Sequence, residues 1–206
     1  MQTVRRLVPN FIIEKYKANE LRGSLEGAAI FVDLVGFSNM VDSLSAHGQH
    51  GAEVLAEIMR DVFETLVEAV YEQGGFVIGY AGDAFNAIFP ADPAKSPEAE
   101  RCLAALVKIQ AHMRSHPQIK TRFGSFPVSI KLGMGHGKTR WQMFKSKEGK
   151  HLTYWMRGEA LNRAIFSEER ALADQIVTEH FALDALGDIV DVEDANGAFL
   201  ITQIHK

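Results

Sequence analysis

This chain has very little cysteine, no long apolar run and no block of like charges, and each absence excludes a class of protein. Cys102 is the only cysteine among 206 residues, which excludes a disulfide framework and a thiolate zinc site and fits a reducing compartment. No apolar stretch reaches the roughly 18 residues of a membrane span. Glu14, Lys15 and Lys17 interrupt the apolar run near the N-terminus, so no signal peptide is predicted. A net charge of −4, without a Lys/Arg run, indicates neither a nucleic-acid nor a membrane partner. We therefore expect a cytoplasmic protein.

Length and apolar content point to one ordinary domain. Hydrophobic residues make up 47% of the chain, which is enough to build a core at this length. Residues 1–27 are interpreted as an N-terminal lead-in with a short apolar piece at 7–13. Residues 28–206 are predicted to form the domain itself.

Apolar periodicity predicts strands and helices over most of this domain. Residues 28–35 form a continuous apolar strand, and Gly36 opens a turn into a helix over 38–46 with Ser38 as its N-cap. The clearest helix covers 51–73, and Gly74-Gly75 end it. Further predicted strands lie at 76–81, 84–89, 128–134, 175–178, 189–192 and 198–204, with helices at 98–115 and 158–172 and a hairpin arm at 138–156. This order predicts an α+β fold: a ferredoxin-like βαββαβ antiparallel sheet with helices on one face, plus C-terminal strand and helix additions and the arm.

Two aspartates stand at strand-to-turn corners. Asp33 lies at the end of an apolar strand, in Ile-Phe-Val-Asp-Leu-Val-Gly-Phe-Ser, and Asp83 follows Gly82 in the turn of the next hairpin. A charged carboxylate next to buried strands is costly without a countercharge. The predicted topology puts the two side by side, where they could hold two divalent ions. The turn from Leu34 to Ser38 leads into a helix N-terminus, whose N–H groups could bind phosphate. The structural alternative is that each aspartate is an ordinary turn former or helix cap.

At these residues the chain resembles the catalytic domains of class III nucleotidyl (adenylyl and guanylyl) cyclases. Three motifs carry the resemblance in order: residues 31–38, Gly74-Gly75 with Gly82-Asp83-Ala84-Phe85, and Gly158-Glu159-Ala160-Leu161-Asn162. The spacing fits across about residues 25–205. Leu7-Val8-Pro9 and Gly51-Ala52-Glu53 further resemble the first cyclase half of the soluble, bicarbonate-responsive type, which is usually followed by a second half and a large ATPase-like region.

The resemblance implies a site shared between two cyclase domains paired head to tail. Two Mg²⁺ or Mn²⁺ ions would activate the ribose 3′-hydroxyl, which attacks the α-phosphate and expels pyrophosphate. It implies that Asp33 and Asp83 bind the metals, with the backbone carbonyl of Leu34. It also implies that Asn162 orients the ribose, and that the triphosphate is gripped by a turn made of Gly36, Phe37 and Ser38.

Other family positions are replaced. The base-recognising lysine corresponds to Gly79, the second base-recognising residue to Trp155, and the arginine that stabilises the transition state to Phe166. Losing such a cationic group can cost several kcal/mol of transition-state stabilisation. Arg163 and Arg170 lie near Phe166 but not at the expected position. The bicarbonate site of the soluble type would draw on Gly79 and Ile165, so bicarbonate control is not expected.

These matches and departures leave two principal hypotheses. The first is the metal-binding half of a cyclase that converts ATP or another nucleoside triphosphate at an interface with a complementary half, with little activity as an isolated homodimer. The second is a catalytically inactive cyclase-fold module with a regulatory or dimerisation role. A diguanylate cyclase is a third and weaker option, because its Gly-Gly-Asp/Glu-Glu-Phe run is missing. The base preference stays open.

A few other residues are interpreted as structural. His136 is expected to be a strand or turn residue rather than a ligand. Trp141, Tyr154 and Trp155 are expected to pack in the arm or to contact a partner. The hairpin tip is predicted to be solvated, with three lysines, Lys145, Lys147 and Lys150.

Overall fold

The computed structural model describes residues 8–148 and 151–205. Leu7 of the predicted lead-in and Lys150 of the predicted hairpin tip lie outside the described residues. Among the described residues, no helix is both long and apolar enough to cross a bilayer.

The predicted helices and strands occur in the predicted order, together with elements that the periodicity did not indicate. The helices are α1 (Asn10–Lys17), α2 (Phe37–Ser45), α3 (Gly48–Glu72), α4 (Glu98–Ser115), α5 (Glu159–Glu168) and α6 (His180–Leu186). The strands are β1 (Arg22–Val35), β2 (Phe76–Ala81), β3 (Ala84–Pro90), β4 (Gln118–Thr121), β5 (Gly124–Pro127), β6 (Ser129–Lys145), β7 (Leu152–Gly158), β8 (Gln175–Thr178), β9 (Val190–Asp194) and β10 (Phe199–Ile204).

The main sheet has the predicted ferredoxin-like core. Its strands lie in the order β2-β3-β1-β6-β8-β10-β9, and the first four form antiparallel pairs. β8 adds in parallel to β6, and β7 pairs with the outer part of β6 as the predicted arm. The predicted α+β class and topology are therefore confirmed.

The two faces of the sheet carry different helices. Ala28, Ile30 and Val32 of β1 join the main core with α3 and α4, whereas Ala29 and Phe31, which point the other way, pack with α5. We call this second side the α5 face. The two helices of the ferredoxin-like core thus share one face as predicted, and α5 is an addition on the opposite face.

Close approach of α5 to the sheet depends on glycine in β6. A Cβ atom on Gly133 would lie 2.1 Å from the carbonyl oxygen of Ala164, and one on Gly135 would lie 2.4 Å from the backbone nitrogen of Ala164. No residue with a side chain fits at either position without moving the helix.

Several predicted bounds are wrong. β1 begins at Arg22 rather than at residue 28, because 22–27 pair with the outer part of β6. Ser38 is not the N-cap: α2 begins at Phe37, and Gly36 precedes it with φ 90° and no side-chain cap. Glycine is needed there, since a Cβ would also lie 2.5 Å from the carbonyl oxygen of Pro127. The helix predicted to reach residue 172 ends at Glu168.

The sequence patterns missed two helices and one hairpin. The missed elements are α1, the β4–β5 hairpin and α6.

Cys102 is free and fully buried. Burial raises the pKa of its thiol well above the ordinary value, so this cysteine is a core residue.

Candidate active site

Asp33 and Asp83 lie at the same end of two neighbouring strands. The Cα of Asp33 in β1 pairs with that of Ala84, the first residue of β3, and Asp83 directly precedes Ala84. Asp83 occupies a two-residue hairpin turn with Gly82, between the paired residues Ala81 and Ala84. Gly82 takes φ 65°, which a type II′ hairpin turn requires at its first position. The predicted side-by-side placement is therefore present in the fold.

The carboxylates occupy an electronegative corner. Partial burial raises the pKa of Asp33, and the negative charges of Glu168 and Asp83 raise it further, against the opposing effect of Lys131. No group of three His, Cys, Asp or Glu side chains that could hold a metal is found in the described part of the chain. The oxygen atoms available at this corner are those of the two carboxylates and of the neighbouring backbone carbonyls. Hard, oxygen-binding Mg²⁺ or Mn²⁺ fits this chemistry.

Backbone groups beside Asp33 extend the site. Pairing of β1 with β3 ends at Asp33, opposite Ala84 at the start of β3, so no residue of β3 lies opposite Leu34 to bond its backbone. The side chains of Leu34 and Phe37 are buried in the main core, which leaves only their backbone atoms for a ligand. Gly36 opens α2, and the first N–H groups of a helix have no partner within the helix. Ser38, in this first turn, is exposed.

Lys131 is a cation of this corner that the sequence reasoning missed. Its Cα lies opposite that of Asp33 in the β1–β6 ladder. Its ammonium forms an ion pair of 2.7 Å with a carboxylate oxygen of Glu168, at the end of α5. The alternation of β6 showed that Lys131 points away from the main core, but only the register with β1 shows that it faces the aspartates.

Asn86 is a second polar residue that the sequence reasoning missed. Its Cα lies opposite Phe31 of β1 and opposite Gly79 of β2. Its side-chain oxygen Oδ1 is buried and has no hydrogen-bond partner. It is an unpaired polar group on the α5 face, which is otherwise apolar at this point.

Gly79 and Trp155, which the resemblance assigns to base recognition, lie outside the aspartate corner. Gly79 sits at an irregularity in the β2–β3 pairing, and a Cβ there would meet nothing within 4 Å. Trp155 lies in β7, where the Arg157 guanidinium stacks on its ring at 4.5 Å. Neighbouring Tyr154 donates its hydroxyl to the carbonyl of Ile78 at 3.2 Å, so the arm contacts β2 beside Gly79.

Asn162 and Phe166 both lie on the exposed side of α5. Asn162 precedes Glu168, which neighbours Asp33, by six residues, or about 9 Å along the helix axis. Phe166 stands where the resemblance implies an arginine, and its ring is covered by the Arg170 guanidinium at 3.4 Å. Arg163 instead donates to the carbonyl of His136. The fold therefore brings Asp33, Asp83 and the Leu34–Ser38 turn together, and leaves Asn162 outside this corner.

The residues interpreted as structural have protein partners. The His136 ring pairs with Glu98 at 2.9 Å. Burial acts to raise the pKa of Glu98, but the hydrogen bond from His136, a backbone hydrogen bond and the charges of His136 and Arg101 together lower it. Trp141 and Met143, both in the arm, are buried together with Ile12 of α1.

Comparison with known proteins supports the fold independently. No family model matches the chain. Mouse adenylate cyclase type 10 is 21% identical over 154 residues, which are 74% of this chain and 9% of that protein. The adenylyl cyclase CyaB of P. aeruginosa superposes with a TM-score of 0.67 at 17% identity, covering 90% of this chain and 97% of that one. A dimeric guanylyl cyclase domain of the RhoGC fusion protein from the fungus Blastocladiella emersonii superposes with a TM-score of 0.69 at 15% identity. The match covers 90% of this chain and 99% of that one. The resemblance of the motifs is therefore confirmed at the level of the fold: this chain has the fold of a class III nucleotidyl cyclase catalytic domain.

Proposed function

We propose that this chain is the metal-binding half of a class III nucleotidyl cyclase. It would convert ATP or another nucleoside triphosphate to a 3′,5′-cyclic nucleotide and pyrophosphate, at an interface with a complementary half. The observation that carries the proposal is the adjacency of Asp33 and Asp83 beside the Gly36 turn, together with the replacement of lysine and arginine by Gly79 and Phe166.

Each residue of the corner has a defined task in this proposal. The carboxylates of Asp33 and Asp83 and the carbonyl of Leu34 would hold the ions, and the backbone N–H groups of Gly36, Phe37 and Ser38 would bind phosphate oxygens. When bound, the ions would favour deprotonation of the ribose 3′-hydroxyl and neutralise charge on the departing pyrophosphate.

Bond making and breaking balance without a further reactant. The 3′-oxygen forms a bond to the α-phosphorus, the bond from that phosphorus to the bridging oxygen of pyrophosphate breaks, and the hydroxyl proton leaves to solvent.

Lys131 adds a positive charge at the edge of the corner, where it would face the triphosphate. Such fixed charges act where negative charge develops in the transition state.

The complementary half would supply what this chain lacks. Gly79 and Trp155 offer no cation to a base, and the Phe166 ring is covered by Arg170. Asn162 is exposed on α5, so it is available to a cleft formed with another domain. A homodimer of this chain would hold metals in both clefts without the arginine, and we therefore expect it to turn over little.

Complementation between two copies of this chain tests the proposal. One copy is the wild type. The other carries D33N and D83N, which remove metal binding, and G79K, W155D and F166R, which restore the missing side of the cleft. Cyclic nucleotide is measured with Mn²⁺ and each of ATP and GTP. We expect product from the mixture and almost none from either copy alone.

Other outcomes decide between the hypotheses. Robust turnover by the isolated wild type would contradict the assignment as one half of a site. If calorimetry finds no metal-dependent nucleotide binding by the wild type, the chain is instead an inactive module with a regulatory or dimerisation role. The matched control is the same mixture with D33N in the wild-type copy, which should make no product.

A further inference from the structure

Glu168 is a buried carboxylate whose position is fixed by the packing of α5 on the sheet. It is 7% exposed and is the last residue of α5. Its backbone nitrogen and Cβ lie 2.4 and 2.7 Å from where a Cβ of Gly133 would be. The end of the helix is therefore held against β6, and the carboxylate is held with it.

The ammonium of Lys131 has two carboxylates within its reach. Lys131 lies opposite Asp33 in the ladder, and both Lys131 and Glu168 influence the pKa of Asp33. Within the described residues, the ion pair of Lys131 is with Glu168, at 2.7 Å, and none is formed with Asp33. The side chain of Lys131 keeps 25% of its surface exposed, against 9% for Glu168, so the cation is the accessible partner.

We propose that Glu168 is a positioning residue that holds the Lys131 ammonium away from Asp33. This inference rests on the proposed function, because it concerns the same metal corner. With Lys131 on Glu168, the Asp33 carboxylate stays available to a divalent cation. Without Glu168, Lys131 pairs with Asp33 and competes with the metal for it.

Three simpler roles for Glu168 predict different behaviour. As a third metal ligand it would approach the two aspartates, but no such cluster exists among the described residues. As a purely structural ion pair it would affect folding without affecting metal affinity. If Glu168 acted only by attracting the metal through space, removing its charge would weaken metal binding equally whether or not Lys131 is present.

A double-mutant cycle measured by Mn²⁺ titration calorimetry separates these roles. The proteins are the wild-type chain, E168Q, K131M and the double variant, each checked for folding by thermal unfolding. We expect E168Q to weaken Mn²⁺ binding about 10-fold when Lys131 is present, and less than about 2-fold in the K131M background. The matched control is E169Q, at the exposed neighbouring glutamate, which should leave Mn²⁺ affinity unchanged.

The outcomes are distinct. An equal loss of affinity in both backgrounds, or no loss in either, overturns the positioning role and leaves the proposed function intact. If the wild type binds no Mn²⁺, both fail. Should E168Q not fold, E168D carries the test: it keeps the charge but withdraws the carboxylate by about 1.5 Å. We then expect weaker Mn²⁺ binding that K131M relieves, and unchanged binding overturns the inference.

Discussion

The guanidinium of Arg170 lies 3.4 Å above the ring of Phe166 and donates to the carbonyl of the same residue at 2.8 Å. Its Nε also donates to the carbonyl of Asn196 at 3.0 Å. Arg170 therefore ties the end of α5 to the turn before β10. It is not a free cation displaced from the family position.

We expect R170A to destabilise the chain without affecting the metal corner. The variant loses two hydrogen bonds from a charged donor and a stacking contact, about 1 to 2 kcal/mol for a partly exposed group. Chemical unfolding measures the loss, and Mn²⁺ titration should give the wild-type affinity. R60A, at an exposed pair with Asp61, is the control and should cost under about 0.5 kcal/mol. A large loss of metal affinity in R170A would contradict this structural role.

Replacing Asp33 by asparagine should stabilise the metal-free chain while abolishing metal binding. Burial and the charges of Glu168 and Asp83 raise the pKa of Asp33, so ionised Asp33 opposes folding. The gain should stay below about 1 kcal/mol, because the group is partly exposed and screened. The gain in stability should be fully present above the raised pKa of Asp33, where the carboxylate is ionised in the folded chain. It should vanish below the ordinary pKa of 3.8, where Asp33 is protonated in both states.

Urea unfolding of the wild type and D33N at several pH values measures the sign of the difference between their free energies of unfolding. E53Q, at an exposed glutamate of α3, is a control for generic charge removal. If D33N is less stable than the wild type at neutral pH without metal, the electrostatic description of the corner is wrong.

A pair of glycine variants tests how closely α5 approaches the sheet. We expect G133A to cost more than about 2 kcal/mol, because its Cβ would lie 2.1 Å from a backbone oxygen of α5. G79A should change stability by less than about 1 kcal/mol, because its Cβ meets nothing within 4 Å. Thermal unfolding of the two proteins provides the comparison, and equal stability would contradict the packing described for α5.

Replacing Asn86 by leucine should stabilise the chain. Oδ1 of Asn86 is buried without a partner, and such a group typically costs about 1 to 3 kcal/mol. Leucine has a similar size and suits the apolar neighbours on the α5 face. We expect a gain of about 1 kcal/mol in the free energy of unfolding, measured with urea. A loss of stability would show that the amide has a partner in solution.

The aspartate corner could be predicted because its signals are local. An apolar strand with Asp33 near its end, and a Gly82-Asp83 turn between two strands, are visible in short stretches of sequence. The ferredoxin-like order then follows from the succession of elements. The residue roles carried by the resemblance remain predictions, as does the domain boundary at residue 28.

What the sequence could not supply depends on register and on tertiary packing. Lys131 joins the corner only through its pairing with Asp33, about a hundred residues away in the chain. β1 begins at Arg22, six residues before the predicted start. The polar residues there are held in the strand by pairing with β6, and an apolar pattern does not detect such pairing. The contact of Arg170 with Phe166 likewise follows from the end of α5 at Glu168, which periodicity placed too late.

The length of β6 connects the arm directly to the aspartate corner. One uninterrupted strand runs from Ser129, two residues before Lys131, to Lys145 near the arm tip, a span of about 50 Å. Its ladder with β1 extends from Ser129 to Gln142, where β7 is already paired to it. The arm and Lys131 therefore share one continuous strand that is paired along most of its length, so a displacement of the arm backbone would be carried by the same element to the residue opposite Asp33.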